Sequence, residues 1–175
     1  CLLSAAGAGS SAEIWMRRAK RGILLCVEWQ KQGAAVRPRE RQSNMQTKDQ
    51  MAGEQLQRLE QESGFMTHNG IQAVYCGEDR AVVQAQVGPN ALNCHGTAHG
   101  GFLFSLADNC AGLLALADGC SYVTLDASFH FLRAAKPGDM VTATATPVRR
   151  GRTVLVERVE LTGPDGREMA EGTFT

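Results

Sequence analysis

Residues 90–117 read NALNCHGTAHGGFLFSLADNCAGLLALA, a polar loop punctuated by glycine that runs straight into an apolar helical segment. From Gly100 to Ala117 the only charged residue is Asp108. A helix that is apolar almost all round cannot lie on a surface, so the rest of the chain has to cover it on most sides. That requirement limits the fold more than any other feature of the sequence.

The flanking segments are suited to the task. Gly70–Cys76 and Arg80–Val87 read as strands joined by the turn Gly77-Glu78-Asp79, with Ala81, Val83, Ala85 and Val87 on one face and Gln84 and Gln86 on the other. Gly88-Pro89-Asn90 breaks the second strand, and Gly119 is placed to end the central helix. Three more strands are predicted over Ser121–Phe131, Met140–Arg149 and Thr153–Leu161, and a last one over Arg167–Thr175. In Met140–Arg149, Val141, Ala143 and Ala145 alternate with threonines, the pattern of a half-buried antiparallel strand. Ahead of the first strand, residues 48–64 form an amphipathic helix with Met51, Leu56 and Leu59 on one face and Gly64 as its stop. One long helix among antiparallel strands is an α+β arrangement, met by a curved sheet wrapped around a central helix.

The loop and helix also carry the chemistry. A helix beginning at Gly100-Gly101 points free N–H groups and partial positive charge at whatever precedes it. Such an end either holds an anion or developing oxyanion, or its glycines merely permit a tight turn. Asp108 shares a narrow stripe with Ser105, Asn109 and Gly112, at i, i+3, i+4 and i+7. That stripe faces either water, or a cleft or subunit interface where a base or nucleophile is wanted. His95 and His99 are four apart but lie in a loop, with no HExxH and no third ligand, so no metal site is expected. A histidine in such a loop fixes its shape by side-chain hydrogen bonds, while His130 reads as a strand residue and His68 as a turn residue.

Composition removes other classes. Hydrophobic residues make up 43% and charged residues 21%, so a folded core is expected rather than disorder. Residues 45–175 carry a net −5, against nucleic-acid binding. The six cysteines form no CxxC pair and read as free thiols of a reducing, cytoplasmic setting, mostly small apolar fillers. No apolar run reaches the ~18–20 residues of a membrane span. Residues 1–44 differ from the rest, at net +5 with few acids. They read as a signal or transit segment, or as an extension ahead of Met45 that is poorly ordered and irrelevant to activity. The domain proper is then 45–175.

The run Asn93-Cys94-His95-Gly96-Thr97-Ala98-His99-Gly100-Gly101, followed by Leu106-Ala107-Asp108-Asn109, resembles the hotdog-fold acyl-CoA thioesterases of the phenylacetate-degradation (PaaI) type. Val123–Phe129, Phe131–Asp139 and the basic hairpin Arg149-Arg150-Gly151-Arg152 extend the likeness, which covers about Asn69 to Thr175. The resemblance implies a curved antiparallel sheet around the central helix, and a homodimer or homotetramer with active sites at the subunit interface. It also implies hydrolysis of acyl-CoA without metal or organic cofactor. By position, Asp108 matches the catalytic carboxylate, as general base or nucleophile. Gly100 matches the N–H that holds the thioester oxygen. His99 shapes that site, Asn93 supplies a positioning amide, and Thr124 orients water. The Asp-bearing helix would face the Asn-His-Gly loop of the other subunit. Phe102, Phe104 and Leu106 would line a dry acyl pocket.

Arg149, Arg150 and Arg152, with Arg133 and Lys136, would meet the CoA phosphates, unless the hairpin is simply a solvated tip. Ala98 and Cys94 depart from common relatives at positions that bear on acyl preference. The chain stops where relatives continue a few residues, which would leave a sheet edge incomplete. Aryl-acetyl-CoA is the expected substrate, with medium-chain acyl-CoA close behind. Two other readings compete. A hotdog hydratase would need an Asp-to-His loop signature that is absent here. A non-catalytic acyl-CoA-binding protein would not need Asp108, Asn93 and the double glycine together.

Overall fold

A computed structural model describes residues 53–117 and 122–175. The segment 1–44, Met51 and Gly119 therefore lie outside the described residues. Two short helices open the fold, α1 (Gly53–Glu62) and α2 (Gly64–Asn69), followed by strands β1 (Gln72–Cys76) and β2 (Ala81–Gln86). A 3-10 turn (Pro89–Ala91) leads through the glycine loop into helix α3 (Gly100–Leu116). Strands β3 (Ala127–Phe131), β4 (Met140–Arg150), β5 (Leu155–Thr162) and β6 (Glu168–Phe174) complete it.

Every pairing is antiparallel, in the order β1-β2-β4-β5-β6-β3. Helix α3 packs over the middle of this curved sheet, against β2, β4 and β5. This is the hotdog arrangement. It satisfies the central constraint: nine residues of α3 are buried, from Phe102 to Ala115. The sheet meets them with small side chains. Ala81, Val83, Val141, Ala143, Ala145, Val159 and Leu161 are fully buried on its inner face. Those alanines let the helix sit close enough for the Cys110 thiol to reach the Ala81 and Ala143 carbonyls at 3.4 and 3.3 Å.

Several expectations change in detail. Gly64 does not stop the first helix but starts α2, because Ser63 caps it by accepting a hydrogen bond from the Met66 N–H. The stop is Gly70, at φ +63, whose amide bonds back to Met66 and Thr67 carbonyls in the left-handed helix ending that glycine favours. Strand β3 starts at Ala127, later than predicted; Ser121, the predicted start, lies outside the described residues. Before it, residues 122–126 run outside the sheet ladder, although Leu125 and Asp126 donate to the Thr175 carbonyl. The C-terminal strand is not a sheet edge: β6 lies between β5 and β3, and the free edges are β1 and β3.

Burial separates the described cysteines, all free. Burial pushes the Cys76 thiol up to about 11 and the Cys110 thiol up to about 12, so both stay protonated at neutral pH. Cys94 is exposed in the glycine loop and is not the apolar filler expected of it. Peptide mapping after mild alkylation of the native protein should therefore find Cys94 labelled well before Cys76 or Cys110. Leu106, fully buried in the core, should cost about 2–5 kcal/mol when cut to alanine, read as a lower urea midpoint.

Candidate active site

The glycine loop is built around Asn93. Its side-chain oxygen accepts from the His95 N–H at 2.9 Å and the Thr97 N–H at 3.3 Å. Its amide nitrogen donates to Thr97 Oγ1 at 3.0 Å and the Ala98 carbonyl at 3.3 Å. Asn93 thus holds the loop's shape within its own chain. The loop is anchored to the sheet side by the Ala98 N–H on the Ala135 carbonyl and the His99 N–H on the Ala91 carbonyl.

His99 is the N-cap of α3. Its Nδ1 accepts the Gly101 N–H at 2.8 Å, which places the imidazole proton on Nε2. With Gly101 capped and the Phe102 and Leu103 amides bonded to the His99 carbonyl, the Gly100 N–H is left without an acceptor among the described residues. It is the one amide at this helix end available to an incoming oxygen.

A Cβ placed on Gly100 would meet the ring tip of Phe131 at 3.0 Å, so a larger residue there would press on that exposed ring. Phe131 packs edge-on against Phe129 at 5.0 Å, and Phe129 in turn against Phe104 and Phe174 at 5.5 and 6.3 Å. No local pattern marks Phe131 for this contact, which forms only when β3 closes beside the helix start.

Further along α3, Ser105, Asp108 and Asn109 are half-buried and Gly112 is exposed, so the anticipated stripe is the helix's accessible face. Asn109 Nδ2 donates to the Ser105 carbonyl at 2.8 Å. Asp108 Oδ1 accepts a 2.7 Å hydrogen bond from Thr124 Oγ1. Its second oxygen has no protein partner among the described residues and stays open to water or substrate. Asp108 and Thr124 are sixteen residues apart in sequence, so the segment before β3 brings the hydroxyl to the helix.

Within one chain Gly100 and Asp108 are eight residues apart on the helix, about 12 Å along its axis. Leu106 points into the core and lines no accessible pocket. Arg133 donates to the Glu168 carbonyl at 3.1 Å, in the turn before β4. Arg149, Arg150 and Arg152 sit at the far end of the eleven-residue β4, about 33 Å away along the strand. There Arg150 is committed to the Glu78 carbonyl at 2.8 Å, while Arg149 and Arg152 are exposed. The arginines are therefore two separate basic points within one chain.

A helix cradled by an antiparallel sheet, with a free amide at its start and a hydrogen-bonded carboxylate on its one accessible stripe, defines a hotdog protein equipped for acyl chemistry. The chain belongs to the thioesterase superfamily, whose profile matches residues 95–170, and it is a PaaI-like thioester hydrolase. A putative esterase of Deinococcus radiodurans is 37% identical over 102 residues, 58% of this chain and 69% of the relative. The acyl-coenzyme A thioesterase PaaI of Escherichia coli is 34% identical over 58% of this chain and 72% of its own. The solved structure of that protein, from the phenylacetic acid degradation operon, aligns with a TM-score of 0.65 over 69% of this chain and 88% of the other. A Streptococcus mutans protein solved bound to acetyl-CoA aligns at 34% identity and a TM-score of 0.58, over 59% and 84% of the two chains.

The cap at the start of α3 has a measurable weight. Replacing His99 by alanine removes the acceptor for the Gly101 amide and should lower unfolding free energy by about 1 kcal/mol. His99→Asn, which keeps a capping acceptor, should recover most of it in the same urea titration.

Proposed function

We propose that this chain hydrolyses acyl-CoA thioesters to the free acid and CoA, with Asp108 as general base. The observation that carries the reading is the half-buried Asp108, held at one oxygen by Thr124 and open at the other, on the same helix that offers the Gly100 amide. Relatives named as acyl-coenzyme A thioesterases, and the structure bound to acetyl-CoA, support the CoA-linked substrate.

The chemistry follows from these groups. Asp108 takes a proton from water as the water oxygen bonds to the thioester carbonyl carbon. The carbonyl π electrons move to oxygen, and the Gly100 N–H stabilises the resulting oxyanion. The oxyanion collapses, the C–S bond breaks, and the CoA sulfur leaves as thiolate to be protonated. No metal or organic cofactor enters this sequence. Thr124 keeps the carboxylate oriented, and His99 holds the helix start so that its first amide stays free.

Base and oxyanion donor must meet at one thioester, yet they are about 12 Å apart on α3. Two chains resolve this: Asp108 of one serves the Gly100 amide of the other. The edge of β3 supports such pairing. It has no neighbouring strand, and Val123, Leu125, Phe131 and Leu132 beside it are 50–69% exposed. An apolar free edge of this kind invites a second strand. The assembly proposed is a homodimer or a pair of them, with Asn93 shaping the loop that faces the other chain's Asp108. Exposed Arg149 and Arg152, with Arg150 and Arg133, are the groups assigned to the CoA phosphates. Aryl-acyl groups are the first choice of substrate, supported by the phenylacetic acid operon of the Escherichia coli relative, with medium-chain acyl groups next. The free thiols Cys76, Cys94 and Cys110 suit a reducing, cytoplasmic setting.

Release of free CoA thiol from a panel of acyl-CoAs tests the reading. Wild type should turn over several of them, and Asp108→Asn should lose about 10²–10⁴-fold in kcat with its melting curve retained. Thiol release that survives in Asp108→Asn would refute the role given to the carboxylate. Hydration of enoyl-CoA without thiol release would make the protein a hydratase, and tight acyl-CoA binding without turnover would make it a binding protein.

A further inference from the structure

The two edges of the sheet are built differently. Strand β3 keeps an unbroken register with β6 over its five residues, and apolar side chains stand exposed beside it. Strand β1 is equally short, but its register with β2 shifts between Ala73 and Tyr75, which makes Val74 an extra residue on the edge. Such a bulge turns an edge away from further pairing. Helix α1 packs against this strand, and the Glu60 carboxylate accepts the Ala73 N–H. Among the described residues β1 has one neighbouring strand, β2. An amide that bonds a helix side chain instead of β2 points to the open side of the strand. Glu60 therefore occupies a group that an added strand would need.

Glu60 is held firmly in this position. It is half-buried, and its carbonyl accepts from the Ser63 N–H at 3.2 Å and from Thr67 Oγ1 at 2.9 Å. Those two bonds tie α1 to α2. Leu56 of α1 and Met66 of α2 are buried in the core. The Ile71 N–H bonds the Met66 carbonyl at 2.9 Å just ahead of β1. The helix pair is thus pinned to the domain by its apolar face, by the turn into β1 and by the Glu60 carboxylate on the strand itself.

We propose that α1 and α2 form a clasp that closes the β1 edge against strand addition by a second copy of this chain. The clasp rests on the two-chain reading above. A chain with one open edge pairs with its copy about a two-fold axis, and the sheet ends there. A chain with two open edges adds copies at both, and its sheet grows into an open array. Closing β1 leaves β3 as the edge across which the sheet extends, so that sheet growth stops at two chains.

The test uses the full chain, followed by sedimentation velocity and by backbone amide hydrogen exchange. Wild type should keep one assembled size as concentration rises, and its Ala73 amide should exchange slowly although it lies on an edge strand. Glu60→Ala should speed Ala73 exchange at least about tenfold. The same variant should give species whose mean mass climbs with concentration and falls again on dilution, with thermal melting retained. Glu60→Asp, whose shorter side chain draws the carboxylate back from Ala73, should do the same and serves if the alanine variant does not fold. Glu60→Gln keeps an acceptor oxygen and should behave as wild type. Adding Val74→Lys to Glu60→Ala puts a charge on the opened edge and should restore the closed size. Fast Ala73 exchange in wild type would overturn the clasp. So would a Glu60→Ala protein that holds the wild-type size at every concentration, or growth that Val74→Lys does not reverse. A wild type that stays a single chain at every concentration would instead refute the two-chain reading, and the clasp with it.

Discussion

The contact between α3 and the inner face of β2, β4 and β5 is the interaction on which the rest depends. Its closeness comes from alanine. Ala81, Ala143 and Ala145 are fully buried beneath the helix, and the Cys110 thiol touches two strand carbonyls that larger side chains would have masked. Burying nine residues of one helix in this way leaves a single strip uncovered. The rotation of the helix is then fixed by packing, and with it the direction in which Asp108 points. A change of sheet residues that rolled α3 by one position would turn the carboxylate about 100° away from Thr124.

That rigidity has a cost in reach. One straight helix cannot bring its first amide and a residue two turns along to the same atom, however well each is placed. Small rearrangements of the loop do not help, because Asn93 and the two backbone anchors at Ala98 and His99 already fix it. The pairing of two chains proposed above answers this, with the strip that carries the carboxylate facing the second chain. It also explains why the apolar β3 edge and that strip belong to one problem.

Much of this was readable from pattern alone, where a local rule and the fold agree. The alternations in β2 and β4 matched the buried faces because period two is imposed by the pleat itself. The start of α3 was legible because Gly100-Gly101 stands where the polar loop gives way to an apolar run. Legibility failed where tertiary contact decides. Gly64 looked like a helix stop, yet Ser63 is close enough to cap a new helix, and Gly70 takes the positive φ instead. Residues 122–124 have strand composition but run outside the ladder, where Thr124 meets Asp108. Leu106 and Phe104 lie two apart, but helical geometry sends one into the core and leaves the other at the rim. Arg133 was grouped with Arg149, Arg150 and Arg152 because the sequence does not show that β4 carries its two ends apart. The contact of Phe131 with the helix start left no trace, since it is made by elements distant in the chain.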